Sequence, residues 1–291
     1  MEHGKVIELF LANGTADRLV TAELSNWNGK AVKIPRIEVN SCARTDICCP
    51  GVYFLLCKTD DGEDAVYIGE SENVKDRLMQ HIRDYNQEKE KYYWNTAVIF
   101  TGRDLNKALI RYLEYRLVQI TKSCQRYKVL TKNTYSNTVL NEAQKSMMEE
   151  FIDNVTILIN TLGYKLLEPL APNANAATTS LEGERLYLKA GNAYGEGSVT
   201  TEGFVLYTGA VISDKVSEKS LSKGSINLRN DLLDSDSVKN YKTTKDILFS
   251  SSSAAGVFVV GYSISGPQNW KNINGTTLKD LEANYIKVNR N

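Results

Sequence analysis

The sequence is poor in the residues that mark several classes of protein. Its 291 residues include five cysteines, an odd number without the paired spacing of metal ligands, and only two histidines. A disulfide-stapled secreted domain and a zinc-finger type of metal site therefore do not fit. We expect free thiols in a reducing compartment for Cys42, Cys48, Cys49, Cys57 and Cys124.

Long hydrophobic runs are also missing. No segment approaches the roughly 18 apolar residues of a membrane-spanning helix, and the opening residues, MEHGKVIELF, lack a basic region followed by an apolar core. We therefore expect a cytoplasmic protein with no membrane partner. Hydrophobic residues make up 42% of the chain, which is ordinary for a globular protein, and the length suits about two domains.

The chain has no excess charge, because 35 Lys and Arg side chains balance 35 Asp and Glu side chains. This excludes a nucleic-acid-binding protein that is basic throughout, so a nucleic acid would need a local patch. The window from 91 to 140 contains nine basic residues, two acidic ones, six tyrosines and one tryptophan. Cations interleaved with aromatic rings suit a phosphate backbone and its bases, but a solvated helix face over core aromatics explains the composition equally well.

Hydrophobic patterning divides the chain into four parts. Three strand-like segments, VIELFL, RLVTAEL and GKAVKIP, predict an N-terminal β extension at 1–48. Residues 49–167 alternate strands with helices, and a small antiparallel sheet flanked by helices is expected there. The low-complexity stretch at 168–180 predicts a linker. Residues 181–291 predict a separate α+β domain, in which no catalytic constellation is visible.

Particular elements follow from periodicity. GVYFLL and AVYIG, joined by an Asp61-Gly62 turn, predict an antiparallel hairpin. Helical spacing appears in SENVKDRLMQHIRDY, with Ser71 as the expected N-cap, and in DLNKALIRYLEYRLVQITK and EAQKSMMEEFIDNVTILINTLG. NTAVIFT predicts a further strand. In the last part of the chain, GVFVV follows a serine-rich helix cap and is expected to be helical despite its strand-like composition.

The hairpin and the two helices after it carry the polar residues of greatest interest. Tyr53 and Tyr67 lie on adjacent predicted strands, with nearby glycines that allow a bulky group to approach. Arg77 and His81 are four residues apart and share a helix face. Glu114 interrupts an apolar helical stripe, where a carboxylate either pairs with a cation or holds a metal ion. Each residue alone also has a structural explanation, such as tyrosine packing or a Glu114 ion pair with a nearby arginine.

Together these residues form a pattern: Gly51-Val52-Tyr53, then Tyr67-Ile68-Gly69, then Arg77, His81 and Glu114. In order and spacing it resembles the GIY-YIG endonuclease family, over residues 51 to about 165. The flanks are similar to a bacterial subgroup with an ELFL…AEISNWTGK-like N-terminal extension and a C-terminal domain of unknown function. That domain carries an FSSPSAAA…NGPxxW-like segment, in which this chain has Ser252 for the proline and Ser265 for the asparagine.

The resemblance implies an α+β fold and a metal-dependent endonuclease that hydrolyses phosphodiester bonds in DNA. It assigns Mg²⁺ or Mn²⁺ to Glu114, the charge of the phosphate to Arg77, and the activation of water to Tyr53 with help from Tyr67. His81 would relay the proton or contact phosphate. An asparagine after the glutamate helix completes many members, and Asn133 is favoured here over Asn137; Glu70 is expected to be a helix-start anion or a second-sphere group rather than a ligand.

DNA, including modified DNA, is the expected partner, and nothing in the sequence separates it from RNA. The residues expected to bind the nucleic acid are Lys107, Arg111, Arg116, Lys122, Arg126, Lys128 and Lys132. The main alternative is a DNA-binding module that keeps the fold without cutting, and a third is a protein-interaction module beside an inert core. Sequence preference, strand choice and oligomeric state have no signature in the sequence.

Overall fold

The computed structural model describes residues 3–136, 138–170 and 181–288. The chain forms two compact units, Met1–Glu168 and Pro169–Asn291. Both units combine sheets with helices, so the predicted α+β class is confirmed. Residues 171–180 of the predicted linker lie outside the described residues. In the described part of the chain, no helix is both long enough and apolar enough to cross a membrane.

The described residues of the first unit form seven strands: β1 Ile7–Leu11, β2 Val20–Leu24, β3 Gly29–Pro35, β4 Gly51–Lys58, β5 Asp64–Ser71, β6 Trp94–Gly102 and β7 Lys128–Val129. They make one sheet in the order β1-β2-β3-β6-β4-β5-β7. Neighbouring strands are antiparallel except for the pair of β5 with β7. The N-terminal strands belong to this same sheet, because β3 pairs with β6 along its whole length.

Both faces of this sheet are covered, as the continuous burial of β4 requires. One face packs Phe54, Ile68 and Phe100 against two long helices, and the other packs Tyr53, Leu55 and Ile99 together with the first helix. The helices are α1 Val74–Asn86, α2 Lys107–Cys124 and α3 Glu142–Thr161, and a short 3-10 turn covers Arg36–Glu38. Along β4 and β5, side chains therefore alternate between the face covered by α2 and α3 and the face covered by α1.

Helix α1 begins later than the sequence pattern suggested. Its N-cap is Asn73, whose side chain accepts a hydrogen bond from the backbone N–H of Asp76 at 3.2 Å. Ser71, the expected N-cap, is instead the last residue of β5, and its hydroxyl is bonded to the backbone of Asn73. The expectation for Ser71 was wrong because the strand continues further than its apolar residues indicate.

The described residues of the second unit form six strands: β8 Leu186–Ala190, β9 Ala193–Thr200, β10 Gly203–Leu206, β11 Val238–Lys239, β12 Lys242–Thr243 and β13 Ile247–Phe249. Four of them make a sheet in the order β13-β10-β9-β8, and β11 and β12 make a two-stranded ribbon. The helices are α4 Lys223–Asp234, α5 Ser252–Val260, α6 Gly266–Asn269 and α7 Leu278–Val288, and a 3-10 turn covers Glu218–Ser220. The segment GVFVV is helical, as expected, and lies in α5, whose N-cap Ser251 accepts from the backbone N–H of Ala254.

Candidate active site

The β4–β5 hairpin places the two tyrosines on one face of the sheet. Tyr53 lies opposite Gly69, and Tyr67 lies opposite Leu55, so the tyrosines form a diagonal pair. Their ring centroids are 6.3 Å apart with an interplanar angle of 25°. A methyl group at Gly69 would collide with the hydroxyl of Tyr53. The glycine of the second strand therefore makes room for the tyrosine of the first.

Helix α1 supplies Arg77 and His81 to the same place. Leu78, between them, is buried against the sheet, which fixes the rotation of the helix. His81 is also buried, and its Nε2 atom lies 2.9 Å from the hydroxyl oxygen of Tyr53. The Arg77 guanidinium interacts with the hydroxyls of both Tyr53 and Tyr67. The structure thus brings together four of the residues expected from the sequence.

Burial dominates the acidity of the two tyrosines. It raises the pKa of Tyr53 strongly, with a further contribution from Tyr67, while Arg77 opposes the rise. Burial also raises the pKa of Tyr67, again opposed by Arg77. Burial of Arg77 disfavours its charge, yet its pKa is raised because the tyrosine oxygens stabilise the cation. Both hydroxyls therefore keep their protons near neutral pH in the free protein, facing a permanent positive charge.

His81 is held between the tyrosine and a carboxylate that sequence reasoning missed. Burial, followed by the nearby Arg77 and Arg36 cations, lowers the pKa of His81 to about 3, so the ring is neutral near pH 7. Its Nδ1 atom lies 2.6 Å from Oε1 of Glu90. A turn after α1, with Glu88 at a φ of 58°, reverses the chain and returns Glu90 to the helix. No periodicity or spacing rule points to this residue.

Glu114 reaches the site from α2, on which it is only 6% exposed. Burial raises the pKa of Glu114 to about 7, and the nearby Glu70 adds to the rise, whereas the cations Lys107, Arg111 and Arg77 oppose it. Among the residues that the structure describes, none donates a hydrogen bond to this carboxylate. The sequence-based alternative of an ion pair does not hold: Arg111 lies 3.7 Å from Glu70, and Arg116 pairs with Glu149.

The surroundings of Glu114 bear on metal binding. No group of three or more His, Cys, Asp and Glu side chains in the described residues could enclose a metal ion. A single buried carboxylate without protein hydrogen-bond donors nonetheless fits Mg²⁺, which keeps several waters and takes further oxygens from a substrate phosphate. Glu70 is less suited to this role, because Lys107 Nζ donates to it at 3.0 Å. Glu114 is therefore the residue that fits the expected ion.

The segment after α2 is fixed by a threonine that sequence reasoning did not single out. The buried hydroxyl of Thr131 accepts from the backbone N–H of Ile68 at 2.8 Å and donates to its carbonyl at 2.7 Å. It thereby pairs with β5 beside Tyr67. Asn133 follows two residues later and is exposed. Asn137, the other candidate asparagine, lies outside the described residues.

The structure does not bring the seven expected DNA-binding cations together. Lys107 and Arg111 lie near Glu114, and the Arg111 guanidinium covers the Tyr135 ring at 4.2 Å from its centroid. Arg116 points elsewhere, pairing with Glu149 on α3 at 2.7 Å. Arg126 donates to the backbone carbonyl of Glu168 at 2.7 Å, while the remaining three, Lys122, Lys128 and Lys132, are exposed.

Comparison with known families agrees with this geometry. Residues 49–128 match the family described as the GIY-YIG catalytic domain, and residues 186–282 match a domain of unknown function, DUF4357. A GIY-YIG domain implies nuclease activity on DNA in general, and such nucleases generally depend on a divalent metal ion. No curated protein and no solved structure matches the chain significantly.

Proposed function

We propose that this chain, a GIY-YIG protein with a C-terminal DUF4357 domain, is an endonuclease that uses a divalent metal ion to hydrolyse phosphodiester bonds in DNA. The observation that carries the proposal is a convergence of groups. The buried Tyr53 and the half-buried Tyr67 both face the Arg77 guanidinium. Tyr53 is hydrogen-bonded to a neutral histidine, and a nearby carboxylate accepts no hydrogen bond from the described residues. Phosphodiester hydrolysis needs an activated water, a Lewis acid and a cation for the developing charge.

Glu114 and Arg77 would handle the charge of the phosphate. Glu114 would hold Mg²⁺ or Mn²⁺, and the bound ion would supply Lewis-acid stabilisation of the phosphate oxygens. Arg77 would bind the scissile phosphate directly, since its guanidinium is always protonated and its forked donors match phosphate oxygens. The raised pKa of Glu114 supports this assignment, because the carboxylate lacks the protein donors that normally stabilise a buried charge.

Tyr53 would take the proton from the attacking water, with Tyr67 positioning that water. A buried tyrosine with a raised pKa is a poor base while it keeps its own proton. That proton therefore needs an acceptor during the reaction. His81 offers one, since its ring is neutral and its Nε2 atom is 2.9 Å from the hydroxyl. Asn133 remains a proposed member of the site, on the exposed segment that follows Thr131.

The DNA would lie along the side of α2 that carries Lys107 and Arg111. These two cations stand beside Glu114, and both face Glu70 in the free protein. The exposed Lys122, Lys128 and Lys132 would extend the contact with the phosphate backbone through charge alone. Arg116 and Arg126 have partners inside the first unit, so their contribution to binding would be smaller. DUF4357 would contribute recognition of DNA, including modified DNA.

Plasmid nicking with Mg²⁺ or Mn²⁺ tests the proposal. The wild type is compared with Glu114→Gln and Tyr53→Phe, and with the control Glu149→Gln, which alters a carboxylate of the neighbouring helix α3. We expect metal-dependent nicking that both site variants abolish and the control retains. Tight DNA binding without nicking, on unmodified and modified plasmid alike, would refute the nuclease and favour the non-cleaving DNA-binding module.

A further inference from the structure

We propose that Glu90 is a positioning residue for the proposed hydrolysis: its carboxylate keeps the His81 proton on Nδ1, which leaves Nε2 free to accept the proton of Tyr53. The inference rests on the proposed role of Tyr53 as the base that activates water. It adds a residue outside the pattern of tyrosines, arginine, histidine and glutamate by which the site was first identified. We call Tyr53, His81 and Glu90 the proton relay.

The relay is defined by two hydrogen bonds on opposite sides of one buried ring. Nε2 of His81 lies 2.9 Å from the Tyr53 hydroxyl, and Nδ1 lies 2.6 Å from Oε1 of Glu90. A neutral imidazole carries one proton, so one nitrogen donates and the other accepts. Either Glu90 accepts from Nδ1–H and Tyr53 donates to Nε2, or a protonated Glu90 donates to Nδ1 and Nε2–H donates to Tyr53.

The hydroxyl proton of Tyr53 decides between these arrangements. Within the described residues, the hydroxyl makes one hydrogen bond, with Nε2 of His81. In the first arrangement the hydroxyl donates to His81, so its proton has a partner, and its oxygen faces the Arg77 guanidinium, which can only donate. In the second, the oxygen would accept from the histidine, and within the described residues its own proton would have no acceptor in hydrogen-bond range. The unpaired buried hydroxyl makes the second arrangement the costlier one.

The surroundings of Glu90 contain groups that act on its carboxylate in both directions. Burial and the nearby Asp84 raise the pKa of Glu90 above its ordinary value, although Arg77, the hydroxyl of Tyr92 and Arg36 oppose the rise. Arg36 is itself held in place, because its guanidinium lies over the rings of three aromatic residues. Other groups that face the histidine are Tyr53 from β4, Tyr67 from β5 and Arg77 from its own helix.

The relay gives a balanced proton path. The Tyr53 proton moves to Nε2 of His81, and the tyrosine oxygen takes a proton from the attacking water. The resulting hydroxide oxygen bonds to phosphorus as the bond from phosphorus to the leaving oxygen breaks. The leaving oxygen takes a proton from solvent, and His81 returns one to solvent, so one water is consumed. Glu90 stabilises the imidazolium that exists in between, as a carboxylate does behind a catalytic histidine.

The position of the proton on His81 can be observed without any cleavage. The chain has only two histidines, and the other, His3, is exposed. In the full-length protein labelled with ¹⁵N-histidine, the nitrogen shifts of His81 report its tautomer, and His81→Asn assigns the signals. The variants are Glu90→Met, which removes the acceptor, Glu90→Gln, which removes the charge, and the exposed neighbour Glu88→Gln as control.

We expect the wild type to carry the proton on Nδ1 and Glu90→Met to move it to Nε2. With that shift, kcat for DNA cleavage should fall about 100-fold or more, within the usual range of general-base catalysis, while KM changes less than about threefold. Glu90→Gln should lose about tenfold in kcat, and Glu88→Gln should match the wild type.

A wild-type proton on Nε2 would overturn the inference. So would an unchanged tautomer or an unchanged kcat in Glu90→Met. Because the tautomer is read without substrate, these outcomes stay distinct from failure of the proposed function, which would appear as a wild type that does not cut DNA or a fully active Tyr53→Phe.

Discussion

Replacing Glu114 by glutamine should stabilise the folded protein at alkaline pH while removing its proposed activity. The reason is the pKa of the carboxylate, which burial raises from an ordinary 4.5 to about 7. A raised pKa means that the folded state binds the proton more tightly than the unfolded chain does. Glu114 therefore favours folding at low pH, and this contribution is lost as the pH rises from the unfolded pKa through the folded one.

The two pKa values fix the size of the effect. Each unit of pKa difference between the folded and the unfolded state corresponds to about 1.36 kcal/mol. By proton linkage, the contribution of Glu114 to the free energy of unfolding should therefore be lower by about 2.5 kcal/mol near pH 8.5 than near pH 5. Glutamine has nearly the same shape and no charge to bury. The gain in the free energy of unfolding from Glu114→Gln should therefore be larger by about 2.5 kcal/mol at the higher pH, in the absence of divalent ions.

Urea denaturation followed by a brief deuterium pulse measures this difference. Mass spectrometry of peptides from α2 then reports on the first unit separately from the second. The matched control is Glu149→Gln on α3. Hydrogen bonds from Arg116 and Tyr112 lower the pKa of Glu149. Its ionised carboxylate therefore stabilises the folded protein fully at any pH above the pKa of an ordinary glutamate, and both test pH values lie above it. The control should lose stability by about the same amount at both pH values.

Two results would contradict the reasoning. One is a Glu114→Gln variant whose change in unfolding free energy is the same near pH 5 and near pH 8.5. The other is a variant that is less stable than the wild type near pH 8.5, which would mean that the carboxylate has stabilising partners. Either result would show that the ionised Glu114 carboxylate does not destabilise the free protein.

Three further predictions concern the proposed site. Because protonation of Glu114 competes with the metal ion, the dissociation constant for Mn²⁺, measured by electron paramagnetic resonance, should rise about tenfold from about pH 8 to about pH 6, with no such binding in Glu114→Gln. Gly69→Ala should lower kcat at least about 100-fold, because the added methyl group would displace the Tyr53 hydroxyl. Gly4→Ala, where a methyl group meets open space, should be active, and an active Gly69→Ala would contradict the packing argument. Arg111→Ala should reduce the slope of the salt dependence of DNA binding by about one unit. Arg116→Ala should reduce that slope less, and should lower the free energy of unfolding in urea by about 1 kcal/mol because it removes the ion pair with Glu149. Equal slopes in both variants would place the DNA elsewhere.

The elements of the fold follow largely from local patterns. Apolar alternation and helical spacing predicted the hairpin of β4 and β5 and the helices α1, α2 and α3. The joining of the N-terminal strands to the same sheet was not predictable, because the β3–β6 pairing links residues that are far apart in sequence. The start of helix α1 was mispredicted for a local reason. Both Ser71 and Asn73 can cap a helix, and only the end of β5 decides between them.

The candidate site shows the same division. Tyr53, Tyr67, Arg77 and His81 lie on regular elements, so register and helical spacing already place them near one another. Glu90 lies beyond a turn, and its contact with His81 depends on a backbone reversal that no periodicity encodes. Thr131 and the pairing of Glu70 with Lys107 are likewise tertiary contacts, for which a single sequence carries no signal.

The buried charges of the first unit are hard to explain by stability alone. Glu114 lacks a hydrogen-bond donor among the described residues, and one oxygen of Glu90 is buried without a partner. Apolar or amide side chains at either position would fold at lower cost. His81 adds a buried ring whose two nitrogens both face ionisable groups. Destabilising groups of this kind occur together where the binding of a substrate or metal ion compensates for them. Here they surround the cluster of Tyr53, Tyr67 and Arg77. These costs support the proposed roles of Glu114 as a metal ligand and of His81 as a proton acceptor, because a merely DNA-binding scaffold would not need either group to be buried in this way.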